Sequence, residues 1–227
     1  MEAFYYLMRK NEIITLVEIN DKGNMLSFSA DMMNEHLAPL QDKYKPTWLR
    51  DWWEDRAVPI SQGRIQEFLR QQGYTGPQEF LVKNLGLSLT DYYWVRPVDS
   101  NLTWEKVNLF DNHFRRNLFF EKENKDDGGA VPKYSPNGSL QGDIEKTWAI
   151  IDGQRCIIKG NRTNLSQESL NEVFASRIHK LQGYDNYTEY YLLKIDRREY
   201  DYVCYAKAFT SKKKELIPAA ALYYSEK

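Results

Sequence analysis

The residues whose types and spacing could do chemistry lie between positions 137 and 172. Lys159 closes the run Arg155-Cys-Ile-Ile-Lys159, and Glu172 follows thirteen residues later in a stretch of helical periodicity. A lysine held by a helix carboxylate is a device for gripping nucleotide phosphates, because the carboxylate fixes an otherwise mobile cation in one place. Upstream, Ser135-Pro-Asn-Gly-Ser-Leu-Gln-Gly-Asp-Ile-Glu-Lys146 carries glycines at 138 and 142 and few large apolar groups. Asn137, Gly138, Ser139 and Gly142 thus form a candidate cofactor-binding loop whose backbone could approach a polyphosphate closely. The same residues read equally well as a plain connection.

These groups need elements to hold them. Thr147-Trp-Ala-Ile-Ile151 and Arg155-Cys-Ile-Ile-Lys159 are rich in β-branched and aromatic residues, and Asp152-Gly153 between them suits the positive φ angles of a tight turn, so the spacing predicts an antiparallel hairpin ending in Lys159. Leu170, Val173, Phe174, Ile178 and Leu181 recur at helical spacing, with Asn164 or Ser166 to cap the start and Gly183 to end it. That face is expected to pack on the sheet and carry Glu172 inward to Lys159; Glu168, four residues earlier, is the substitute partner in a different register. Strands are expected over 188–196 and 200–209.

At this point the residues resemble a known family. Asn84-Leu-Gly-Leu-Ser-Leu-Thr-Asp-Tyr-Tyr-Trp-Val95 and Trp104-Glu-Lys-Val-Asn-Leu-Phe-Asp111 are similar to the amino-terminal subdomain of HipA-like serine/threonine kinases common in Firmicutes, Cys156-Ile-Ile-Lys-Gly160 to their lysine strand, and Asn171-Glu172 to their helix glutamate. The family occurs as toxins in bacterial toxin and antitoxin pairs. The resemblance implies a kinase small lobe, a five-stranded antiparallel sheet with one helix, that binds ATP with Lys159 and Glu172 in the catalytic roles. It further implies a hinge at Lys207-Ala-Phe209, with Lys207 and Phe209 beside the adenine, and Mg2+ ligands outside this chain. A protein substrate and a DNA-binding antitoxin are the implied partners.

Phosphoryl transfer also needs a carboxylate at the substrate hydroxyl and others on magnesium, which in kinases follow the small lobe. After Phe209 the only carboxylate side chains are Glu215 and Glu226, so the expectation is a kinase whose second lobe is missing or separately encoded, inactive alone. The alternative is a non-catalytic module that docks a partner protein.

The whole chain bounds these readings. With 227 residues and a formal net charge of −1, it offers no basic excess, which speaks against bulk nucleic-acid binding. No apolar stretch approaches the roughly 20 residues of a membrane span, so a cytoplasmic protein is expected. Cys156 and Cys204 fall in expected strands as small apolar residues, and His36, His113 and His179 lack ligand spacing, so no metal site is assigned.

Along the chain, Ile13 to Ile19 and Met25 to Phe28 read as a hairpin, and Trp48, Leu49, Trp52 and Trp53 as one side of a short helix after Pro46. Helices are expected from Ser61 to about Gly73 and from Pro77 to Gly86, then an edge strand or irregular segment over 87–98 and a short helix or lid within 101–120. The charged, glycine-bearing stretch 121–130 reads as a linker. The expected class is α+β: a mixed amino-terminal domain over 1–120 and a nucleotide-binding lobe over 131–227.

Overall fold

The computed structural model describes residues 2–41, 44–115, 132–162, 165–195 and 202–225. Among them the chain is a mixed α+β protein with two four-stranded antiparallel sheets and six helices. The first sheet has the order β3-β2-β1-β4, from β1 (Glu2–Arg9), β2 (Glu12–Asn20), β3 (Met25–Phe28) and β4 (Tyr93–Pro97). The hairpin read from sequence is β2 and β3. Strand β1, for which the sequence reading gave no element, sits in the middle, with Tyr6 opposite both Leu16 and Arg96. It is apolar on both faces: Leu7 packs into one core and Met8 into another, so no polar alternation marks it as a strand.

Helices α1 (Trp48–Arg56), α2 (Ile65–Gln71) and α3 (Pro77–Lys83) follow β3. Leu49, Trp53 and Leu81 pack with Leu7, Ile14 and Val95, and the Trp53 indole donates to the Gly23 carbonyl at 2.8 Å. Gly23 is obligatory: its φ is +82°, and a Cβ there would lie 2.0 Å from the Gln78 carbonyl oxygen. Pro77 opens α3 as expected, whereas α2 begins later than Ser61, whose hydroxyl donates to Asp143 instead of capping a helix.

On the other side of the sheet, Met8, Trp94 and Leu85 meet α4 (Trp104–Val107) and Phe110 and Phe114. This aromatic layer continues into Trp148, Ile150 and Ile157 of the second sheet, so one core joins the two halves. The expected linker, 121–130, lies outside the described residues. The segment before the second sheet is also docked on the first half: Val58 N–H donates to the Gly138 carbonyl at 2.8 Å and the Gln62 amide to the Gly142 carbonyl at 2.9 Å.

The second sheet has the order β5-β6-β8-β7, from β5 (Lys146–Ile151), β6 (Gln154–Lys159), β7 (Tyr190–Lys194) and β8 (Tyr202–Lys207). It has four strands among the described residues where five were expected, and the segment expected as the binding loop contains a 3-10 turn, Pro136–Ser139. The fifteen-residue helix α5 (Gln167–Leu181) joins β6 to β7, and α6 (Ala219–Ser225) ends the described chain. No helix among the described residues is long and apolar enough to cross a membrane.

Candidate functional site

The hairpin turn decides where Lys159 stands. Asp152 (φ +48°) and Gly153 (φ +74°) make the tight turn, and the register counted from it sets Trp148 opposite Ile157 and Lys146 opposite Lys159. Side chains alternate along β6, so Arg155, Ile157 and Lys159 share a face. Arg155 donates to the Leu109 carbonyl at 2.8 Å and Ile157 enters the shared core, which leaves Lys159 at the strand end, beyond the first half.

Helix α5 covers that end. Ser169, Val173 and Ser176 are its buried residues, and the Ser176 hydroxyl, which accepts from the Tyr190 N–H at 3.3 Å, pins the helix to β7. Small residues let the helix approach the sheet closely. Glu172, on the same side, reaches Lys159 at 2.8 Å, so the expected pair forms with Glu172 and not with Glu168. The expected apolar face does not pack: Leu170, Phe174, Ile178 and Leu181 point away from the sheet and are exposed. They lie about a third of a turn from the buried stripe, and drawing Glu172 toward Lys159 turns them outward.

The Lys159 ammonium also donates to the Tyr190 hydroxyl. Burial pulls the Lys159 pKa down, but the hydrogen bonds and charges of Glu172 and Tyr190 outweigh it and leave it above the ordinary lysine value. Lys146 is moved the other way, down, by burial and then by the charge of Lys159; its ammonium donates to the Gln141 carbonyl at 2.6 Å. Cys204 stands opposite Lys159 on β8, and burial pushes its thiol up to about 11.

Lys146 also lines a cavity of about 660 Å³ between the second sheet and the first half, whose walls do not include Lys159, Glu172, Tyr190 or Cys204. Lys146, Trp148 and Ile157 line its sheet side, and Arg56, Asp91 and Glu215 its other walls. Arg56 is fixed by a bidentate pair with Asp91 at 2.8 and 2.7 Å, and Glu215 pairs with Arg9. The Trp148 Nε1–H is buried and meets no acceptor among the described residues. A planar group with an acceptor edge would suit that wall, with its anionic end toward Lys146.

The other expected site residues are not gathered here. Asn137, Gly138 and Ser139 are buried in the 3-10 turn. The Asn137 side chain donates to Thr147 Oγ1 at 2.8 Å and accepts from the Trp148 N–H at 2.9 Å, while a Cβ on Gly138 would lie 3.3 Å from Leu81 Cα. Packing on β5 and α3 uses these residues, so no open phosphate loop is formed by them; only Ser139 touches the cavity. Gly142, at φ +92°, lies under the Lys146 ammonium. Lys207 pairs in register with Cys156, and Phe209 is largely exposed; neither meets Lys159 or Glu172 through a described contact.

No family model, curated protein or solved structure matches this chain. The site therefore rests on its own geometry. Lys146, Trp148, Tyr190 and Cys204 were not expected as site residues; counting back from Asp152-Gly153 finds Lys146, since the turn sets it opposite Lys159. Nothing local in the sequence marks Tyr190, which is brought in by the return of the chain after α5.

Proposed function

We propose that this chain is the nucleotide-binding, amino-terminal part of a HipA-like serine/threonine kinase. The observation that carries the reading is the 2.8 Å pair between Lys159, at the end of a hairpin strand, and Glu172, on the helix that follows it. A cation held this way keeps its direction without a ligand, and that is what phosphate positioning asks of it. The chain order of hairpin, helix and two further strands in one antiparallel sheet supports the same reading, as four strands and the helix of a kinase small lobe.

In this proposal the base of ATP lies in the cavity against Trp148 and Ile157, and its phosphates extend toward Lys146 and Lys159. Glu172 and Tyr190 hold Lys159 in place. When bound, ATP with Mg2+ supplies the phosphoryl group for a serine or threonine of a protein substrate; the base and the magnesium ligands belong to a second lobe. The buried 3-10 turn has no part in phosphate binding in this account, which differs from the family pattern.

Titration calorimetry with ATP tests the reading. Saturable binding that Lys159→Ala weakens by about 10- to 100-fold is expected for the loss of a charge-assisted phosphate contact. No binding, or binding that the substitution leaves unchanged, would refute it.

A further inference from the structure

The cavity beside Lys146 and Trp148 is closed on its outer side by one stretch of chain. Glu215, Leu216, Ile217, Pro218, Ala220 and Ala221 all line it. Leu216 is nonetheless 42% exposed and Ile217 45%, and Pro218 and Ala220 are exposed as well. A segment that faces a cavity on one side and solvent on the other is a wall one chain thick. Helix α6, which continues it, is also shallow: Ala219 to Tyr223 are all exposed or half-buried.

The stretch is fixed at its start. The turn before it, Ser211 to Lys214, is closed by two backbone hydrogen bonds at 2.8 and 3.1 Å, and the Tyr92 hydroxyl donates to the Ser211 carbonyl at 2.8 Å, which holds that turn to the first half. Glu215 then accepts from Arg9, and the Leu216 N–H donates to the Thr90 carbonyl at 2.7 Å. The ion pair satisfies only one carboxylate oxygen. Glu215 Oε2 is buried and meets no donor among the described residues, so releasing the pair returns that oxygen to water and offsets part of what the pair contributes. Arg9 is not stranded by the release, because its guanidinium also lies over the Tyr92 and Tyr93 rings, 5.7 and 5.9 Å from their centroids. We infer that residues 215–221 are a lid on the cavity, hinged at the turn from Ser211 to Lys214 and latched by Arg9 and Glu215. Open, the lid admits a ligand; closed, it keeps water from it. That the ligand is ATP rests on the nucleotide reading, whereas the lid rests on these contacts alone. Entry and exit both wait for the latch, so releasing it speeds both alike.

Two measurements on the full chain test this, and the first needs no nucleotide. In amide hydrogen exchange the Leu216 N–H should be protected yet open locally, ahead of the β8 amides that wait for global unfolding. Glu215→Ala should speed Leu216 exchange about three- to tenfold, more than it speeds any β8 amide. The second is stopped-flow binding of mant-ATP, a ribose-labelled fluorescent ATP, read by energy transfer from Trp52 and Trp148 in the cavity wall. Glu215→Ala, and Leu216→Pro, which removes the N–H that meets Thr90, should each raise the association and dissociation rates together by about the same factor. A fixed wall predicts faster dissociation alone, and that result would overturn the inference. Leu216 exchange that ignores Glu215→Ala, or that proceeds only with global unfolding, would overturn it too. Absence of mant-ATP binding in the wild type and both variants would strike the nucleotide reading, while the exchange still decides the lid.

Discussion

The Lys159 ammonium and the Glu172 carboxylate meet at 2.8 Å across the gap between strand β6 and helix α5, with no ligand to bring them together. Both side chains are partly exposed, so the pair adds little to stability, on the order of 0.5–1 kcal/mol. Its role is positional. Glu172→Gln should therefore weaken ATP binding severalfold while moving the thermal midpoint by no more than a few degrees, as calorimetry and thermal unfolding will show.

Alkaline pH should destabilise the fold through the same cluster. The Cys204 thiol is pushed up to about 11 by burial, and Lys159 is raised above the usual lysine value by its partners. Both folded-state values are raised, so the folded chain holds these protons more tightly than the unfolded one. Their contribution is complete below the unfolded values and is lost as pH rises through the folded ones. The Cys204 part, about 2–3 kcal/mol, should disappear between roughly pH 9 and 11. Urea unfolding across that window should show a flatter decline for Cys204→Ala than for the wild type.

Asn137 separates a structural turn from a phosphate loop. Its amide serves Thr147 and the Trp148 backbone inside the protein. Asn137→Ala should cost about 1–3 kcal/mol of stability, the penalty for leaving buried polar groups unpaired, while the folded fraction binds ATP with unchanged affinity. A loss of affinity without a loss of stability would return this residue to the binding site.

Gly23 tests the packing of α3 on the first sheet. With φ at +82° and the Gln78 carbonyl 2.0 Å from where a Cβ would stand, Gly23→Ala should destabilise the chain by about 3 kcal/mol or more in denaturant unfolding.

These residues also show what was legible in the sequence. The β5 and β6 hairpin was readable because Asp152-Gly153 sets both turn and register, and the Lys159 and Glu172 pair was expected and forms, although the apolar face meant to carry Glu172 inward is not the one that packs. The outward face of α5 was not readable, because periodicity reports that a helix is amphipathic without reporting which side its neighbour takes. Here an ion pair and three small residues chose the side. The glycine at 138 was likewise visible, but close packing on Leu81 and close approach to a phosphate demand the same residue. Strand β1 was missed because burial on both faces removes the alternation that identifies a strand.

The most direct test of the nucleotide reading is chemical. An acyl phosphate derivative of ATP acylates a lysine held against the bound phosphates, and mass spectrometry of the digested protein locates the modified residue. The account predicts acylation at Lys159, with Lys146 as a secondary site, suppressed by excess ATP. Acylation spread over surface lysines, indifferent to ATP and sparing Lys159, would contradict it.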